Sequence, residues 1–160
     1  FVTSKPKLFA LTNGKSLIIR TNIVGFRGQA ERPTFVEWAI NSLRNKSEMT
    51  LFVDYYTSSI SVAQFSRALF DLLSMETSPC GILNLASPMV SNKREFIVEI
   101  AKQFGFSLEK AKDGSVAGLT SQRANSLGLD VTKAETLLGY SLPSLADVVK
   151  QLRDEYANAC

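Results

Sequence analysis

Three short apolar runs, SLIIR at 16–20, MTLFV at 49–53 and GILNLA at 81–86, constrain this chain most, because each leads into apolar residues at helical spacing. Runs of five or six such residues, bounded by turn formers, have the length of buried strands. The first follows the turn-forming pair Asn13 and Gly14 and runs out into TNIVGFRG, which reads as a loop. Pro33 then suits the first turn of a helix in which Phe35, Val36, Ala39, Ile40 and Leu43 recur at three- and four-residue spacing, ending near Asn45. The second run opens into the polar and aromatic segment Asp54 to Ser59, expected as a loop. Ser61 can cap the next helix, whose apolar face is Val62, Phe65, Ala68, Leu69, Leu72 and Leu73. After the third run, Ser91 opens a helix with the stripe Phe96, Ile97, Ile100, Ala101 and Phe104, stopped by Gly105. This alternation predicts an α/β fold with helices packed on a largely parallel sheet and binding groups in the loops that follow the strands.

Beyond Gly105 a strand is expected at Phe106 to Lys112 and a loop from Asp113 to Asn125. Two helices follow, Thr132 to Leu138 ending at Gly139, and Ser144 to Asn158 with Ser144 as N-cap and Leu145, Val148, Val149 and Leu152 facing inward. There is no internal repeat and no low-complexity linker. The 160 residues fit one domain, or a fragment, and are short for a dinucleotide-binding fold plus a substrate domain.

Composition excludes several function classes. The net charge of +3 comes from 18 basic and 15 acidic residues scattered without a like-charge run, so nothing tracks a nucleic-acid backbone. No apolar stretch approaches the roughly 18 to 20 residues that span a bilayer, and the first residues lack the apolar core of a signal peptide, so no membrane partner and a cytoplasmic location are expected. The two cysteines, Cys80 and Cys160, are too few for a disulfide framework or a thiolate metal site. Histidine is absent, which removes Ser-His and Cys-His nucleophile systems and the commonest zinc ligand, so no metal is expected.

Four segments occur in a suggestive order: LIIRTNIVG at 17–25, DYYTSSISVAQFSRAL at 54–69, GILNLAS at 81–87 and RANSLGLDVTKAETLLGYSLPSL at 123–145. Together, from about Leu17 to Leu152, they resemble the C-terminal half of the extended short-chain dehydrogenases/reductases, in particular the dTDP-4-dehydrorhamnose reductases and related sugar-nucleotide reductases and epimerases. The resemblance implies the C-terminal portion of a Rossmann-like fold with its substrate-binding lobe. In that family the first half carries a Gly-rich turn over the cofactor pyrophosphate, and a Tyr-x-x-x-Lys pair does the acid/base work. Neither is present here: Gly25 and Gly28 do not make the fingerprint, and no tyrosine has lysine four residues on. Phe1 and Lys5 have the spacing of the pair, with a phenylalanine that can carry no proton, and Pro6 sits awkwardly for the helix that normally holds it. No catalytic residue is therefore assigned.

Site residues follow from the same resemblance. Thr21, Asn22 and Ile23, just past the first strand, are expected beside the nicotinamide of the cofactor, with Asn22 also reaching the sugar; the other reading of Asn22 is a turn made with its own backbone. Asp54, Tyr56, Thr57 and Ser58 are expected in the substrate pocket wall, or else as a solvated loop. Arg123 and Asn125 match an Arg-Pro-x-Asn-Ser stretch of the rhamnose-pathway reductases, with Ala124 in place of proline. A guanidinium there can grip a diphosphate, or serve a surface ion pair. Phe35 and Trp38, three residues apart, could contact a nucleotide base or serve the core.

The chain thus reads as a fragment of an NAD(P)-dependent sugar-nucleotide oxidoreductase, taking a nucleotide-sugar substrate and completed by an N-terminal dinucleotide-binding half. By itself it is expected to bind no NAD(P) and to be inactive; homodimerisation stays open. The alternative is a non-catalytic regulatory or ligand-binding member of the same fold. A third, self-sufficient small binding domain fits less well, since three strands leave a sheet edge that calls for more strands.

Overall fold

A computed structural model describes residues 16–118 and 126–159. In chain order the described elements are β1 (Leu17–Arg20), β2 (Ile23–Val24), α1 (Phe35–Arg44), β3 (Met49–Phe52), β4 (Tyr56–Thr57), β5 (Ile60–Ser61) and α2 (Val62–Leu73). They continue with β6 (Gly81–Asn84), β7 (Ser91–Asn92), α3 (Lys93–Phe104), β8 (Ala111–Gly114), a 3₁₀ turn at Val116–Gly118, β9 (Ser126–Leu127), α4 (Thr132–Leu138) and α5 (Leu145–Ala159).

The α/β alternation and the preference for parallel pairing are as expected, but the three apolar runs do not share one sheet. β1 lies parallel to β6, with Leu17 opposite Gly81 and Arg20 opposite Asn84, whereas β3 lies parallel to β8. The reason is that the runs feed two separate cores. Around β1 and β6, Leu83, Leu85 and Ala86 pack with Ala68 and Leu72 of α2 and Ala134 of α4. Around β3, Met49 and Leu51 pack with Val36 and Ile40 of α1, Phe96 and Ile100 of α3, and Val148 and Leu152 of α5. Each fully buried side chain of this size contributes roughly 1.5 to 3 kcal/mol, so each strand goes to the core that buries its inward face. There are two further small sheets among the described residues: β2 parallel to β5, and a three-stranded sheet in the order β7-β4-β9.

Most helix signals act as expected. Ser61 caps α2, its hydroxyl accepting the Gln64 N–H at 3.2 Å. Gly105 and Gly139 close α3 and α4 at φ of 71° and 74°, the left-handed conformation that favours glycine. Ser144 accepts the Asp147 N–H at 3.3 Å at the start of α5.

Other expectations are corrected. Pro33 lies outside α1, whose N-cap is Thr34, because the Thr34 hydroxyl accepts the Glu37 N–H and the Glu37 carboxylate accepts the Thr34 N–H, a capping box that proline cannot offer. Asn92 and not Ser91 caps α3, again through a capping box, with Glu95. TNIVGFRG is not all loop, since Ile23 and Val24 pair with Ile60 and Ser61. The strand expected at 106–112 begins only at Ala111, because Ala111 first closes a turn onto Leu108. β6 stops at Asn84, short of Ala86. Val62 and Leu73, at the two ends of α2, reach past the core and are 48% and 59% exposed.

Candidate functional site

Open α/β structures place ligand groups where strands end, and β1 ends at a cavity. It has a volume of about 380 Å³ and is lined by Arg20, Thr21 and Asn22 on one side and Ser126, Leu127, Gly128 and Leu129 on the other. Two of the three residues expected beside the cofactor, Thr21 and Asn22, thus line it, while Ile23 is drawn into β2 and is not among its lining residues. The buried Thr21 hydroxyl has no hydrogen-bond partner among the described residues. A hydroxyl buried without a partner costs free energy, and ligand groups are one way to satisfy it.

Asn22 does not turn back on its own backbone. Its carbonyl accepts the Ile60 N–H at 3.1 Å and its side-chain amide donates to the Ser59 hydroxyl at 3.5 Å. The residue therefore ties the end of β1 to the segment that follows β4.

That segment is not a solvated loop. Tyr56 and Thr57 form the central strand β4, antiparallel to β7 and parallel to β9, so that Tyr56 lies opposite Asn92 and Ser126. Thr57, Ser58 and Ser59 are buried, and Tyr56 is 38% exposed. The Thr57 and Ser59 hydroxyls are 3.3 Å apart, and the Ser58 hydroxyl accepts the Leu129 N–H at 3.1 Å. The serines thus hold the cavity wall from behind, and their burial in hydrogen-bonded pairs is what a polar run needs to enter a core.

Asp54 is placed elsewhere. Its carboxylate accepts the Ser115 hydroxyl and the Val116 N–H, the latter at 2.9 Å, and these two donors hold it below the ordinary aspartate range. Both oxygens thus receive hydrogen bonds from the 115–116 loop. Arg123 and Asn125 lie outside the described residues, as do Phe1 and Lys5; Ser126, which follows Asn125, lines the cavity.

Sequence reasoning missed the 126–129 wall and Asn84. Asn84 ends β6, donates its amide to the Asp130 carbonyl at 2.6 Å, and leaves its buried side-chain oxygen without a partner among the described residues. An asparagine inside the apolar run GILNLA is the signal that could have flagged it. Gly128 is closely approached: a Cβ there would lie 2.8 Å from a Val90 methyl.

A second cavity, of about 210 Å³, gathers Phe35, Trp38, Phe52, Tyr55 and Lys93. Phe35 does serve the core, edge-on to Phe96 with ring centroids 5.5 Å apart. Trp38 does not bury itself; it stays 40% exposed on the cavity wall.

The chain resembles solved structures in fold. No family model matches its sequence, and no curated protein does. A dTDP-4-dehydrorhamnose reductase from Bacillus anthracis, solved in complex with NADP, is similar at a TM-score of 0.73 and 20% identity, over 87% of this chain and 48% of that one. The dTDP-4-dehydrorhamnose reductase from Yersinia enterocolitica is similar at 0.74 and 18%, over 92% and 53%. The UDP-glucuronic acid 4-epimerase from Bacillus cereus, in complex with UDP-glucuronic acid and NAD, is similar at 0.67 and 18%, over 90% and 46%. The chain spans about half the length of these structures and has the fold of their C-terminal portion, a Rossmann-like arrangement. At these identities the likeness is one of fold. No described helix is long and apolar enough to cross a membrane, and no described cluster of acidic, cysteine or histidine residues could hold a metal ion.

Proposed function

We propose that this chain supplies the substrate side of an NAD(P)-dependent sugar-nucleotide oxidoreductase resembling the dTDP-4-dehydrorhamnose reductases, with the dinucleotide-binding half contributed by other polypeptide. The observation that carries this is the cavity at the end of β1, where the buried Thr21 hydroxyl and the Asn22 backbone meet the 126–129 wall. It stands where the fold places ligands. In this reading Thr21 and Asn22 face the cofactor, and Tyr56, Thr57 and Ser58 shape the pocket wall that receives the nucleotide-sugar. Arg123 and Asn125 would bind its diphosphate.

The β1–β6 pair supports the need for a second half. Leu17, Ile19 and Leu83 turn to the core, which leaves Ile18 and Ile82 on the other face, and Ile82 is 37% exposed. Parallel strands are normally covered on both faces, so a further layer belongs there.

The described residues fit the dinucleotide poorly by themselves. Gly25 and Gly28, which follow β2, lead into a loop and not directly into a helix, and a Cβ on Gly25 would lie 2.9 Å from a Val62 methyl. In the complete enzyme a bound NAD(P) would be the hydride donor, and these residues would orient the sugar. The exposed free thiol of Cys80 suits the reducing cytoplasm. Calorimetry tests the reading: this chain alone should bind NADPH negligibly, and micromolar binding would overturn it.

The alternative, a non-catalytic member of the same fold, draws on the phenylalanine at position 1 four residues before Lys5. Activity of the full-length protein on dTDP-4-keto sugars with NADPH separates the two: turnover supports the enzyme, and its absence in a folded, substrate-binding protein supports the alternative.

A further inference from the structure

We infer that the outward face of α2 is a self-association surface, on which a second copy of this chain packs its own α2 antiparallel across a two-fold axis. Phe70 is the most exposed large apolar side chain among the described residues, at 70%, and Leu73, one turn on, stands at 59%. Tyr140, just beyond α4, adds a ring that is 42% exposed and is fixed there by donating its hydroxyl to Asp71 at 2.7 Å. Single exposed apolar residues need no explanation, but a group of them on two packed helices marks a contact surface.

The fold leaves this face without another cover. α2 turns Ala68 and Leu72 into the core that it shares with Leu17, Ile19 and Leu83. A layer laid over Ile18 and Ile82 would lie on the far side of the β1–β6 pair and would not cover Phe70.

Charge selects a second copy as the occupant. Arg67 and Asp71 stand on either side of Phe70, one turn apart on α2. Arg67 makes no hydrogen bond or ion pair with any described residue, although its charge acts on the Tyr140 hydroxyl. Arginine four residues before aspartate is the less favourable order for a pair within one helix, so both charges are available to a neighbour. Two antiparallel helices set with Arg67 opposite Asp71 of the second copy form that pair twice, as an isologous interface requires. The midpoint of this register is Leu69, so the two Phe70 rings meet beside the axis, where an aromatic pair adds to the apolar burial. Ser66 and Ser74, each four residues from Phe70 and exposed, are small enough to let the helices approach to about 8 to 10 Å. Asp71 keeps its bond to Tyr140, since a carboxylate accepts on both oxygens. Interfaces below about 1,200 Å² belong to weak, reversible complexes, and one helical face is of that class, so the dimer should form in the micromolar range.

Sedimentation equilibrium of the purified chain, from micromolar to millimolar concentration, should fit a monomer–dimer equilibrium that weakens with added salt. Phe70→Ser should raise the dissociation constant at least tenfold. Arg67→Asp and Asp71→Arg, each alone, should do the same, because each sets like charges against each other twice. An equimolar mixture of these two single variants should recover wild-type affinity, since every cross-pair between them is then of opposite sign; circular dichroism checks that each variant folds. A chain that stays monomeric throughout, or a dimer indifferent to Phe70→Ser, would overturn the inference. So would single charge variants that dimerise like wild type, or folded ones that fail to recover on mixing.

Discussion

The Ser58 hydroxyl accepts the Leu129 backbone N–H at 3.1 Å across 71 residues of sequence, and so fastens the β4 segment to the wall of the strand-end cavity. Ser58 is fully buried, so nothing in solvent can replace it. Ser58→Ala leaves a part-buried N–H without its acceptor, which costs about 1 to 3 kcal/mol. Urea denaturation should show that loss, and a variant as stable as wild type would mean that the bond is dispensable.

Thr21 provides the opposite case. Its buried hydroxyl makes no hydrogen bond among the described residues, so Thr21→Val, which keeps the shape, removes a polar burial cost and breaks no bond. Thermal melting should show unchanged or higher stability. In the full-length protein the same change should weaken cofactor or nucleotide-sugar binding several-fold by calorimetry.

Glu37 straps the loop after β2 to α1. One carboxylate oxygen accepts the Arg27 and Gly28 N–H groups at 2.8 and 2.7 Å, and the other accepts that of Thr34 at 2.6 Å. Partial burial pushes this carboxyl up, but those backbone donors, with the Thr34 hydroxyl, outweigh it and hold the pKa at about 2. Glu37→Gln cannot accept all these bonds and should cost roughly 1 to 2 kcal/mol at pH 7. Because the folded pKa is depressed, this stabilisation is complete above the ordinary value of 4.5 and is lost as pH falls from there towards 2. The gap between wild type and variant in denaturation midpoint should close over that range.

Lys93 should titrate in the reverse sense. Burial lowers its pKa from 10.5 to about 8, which corresponds to roughly 3 kcal/mol against the charged form. The attraction to the Phe35 ring returns about 1 to 2 kcal/mol. At pH 7 the amine is protonated in both folded and unfolded chains, so Lys93→Met should be more stable by about 1 to 2 kcal/mol. Between about 8 and 10.5 the unfolded chain binds more protons, wild-type stability rises, and the advantage should vanish. Urea melts followed by circular dichroism at pH 7 and pH 10.5 measure it.

The sequence by itself determined the helices and the α/β class. Apolar spacing of three and four residues, with Ser61, Gly105, Gly139 and Ser144 at the ends, is local information, and local hydrogen bonding and burial read it directly. It also marked Thr21 and Asn22 at the end of β1, because a polar loop after an apolar strand is visible without knowing what it faces. Only the tertiary structure decided that β1 pairs with β6 and β3 with β8, that the polar run from Thr57 to Ser59 is buried behind the 126–129 wall, and that Asp54 turns to Ser115 and Val116. Strands of two to four residues carry too little pattern to name a partner, and a buried hydroxyl looks like a solvated one until its distant acceptor or donor is in place. The same holds for Lys93: the cavity around it exists because α1, β3 and α3 meet over a core to which all three contribute.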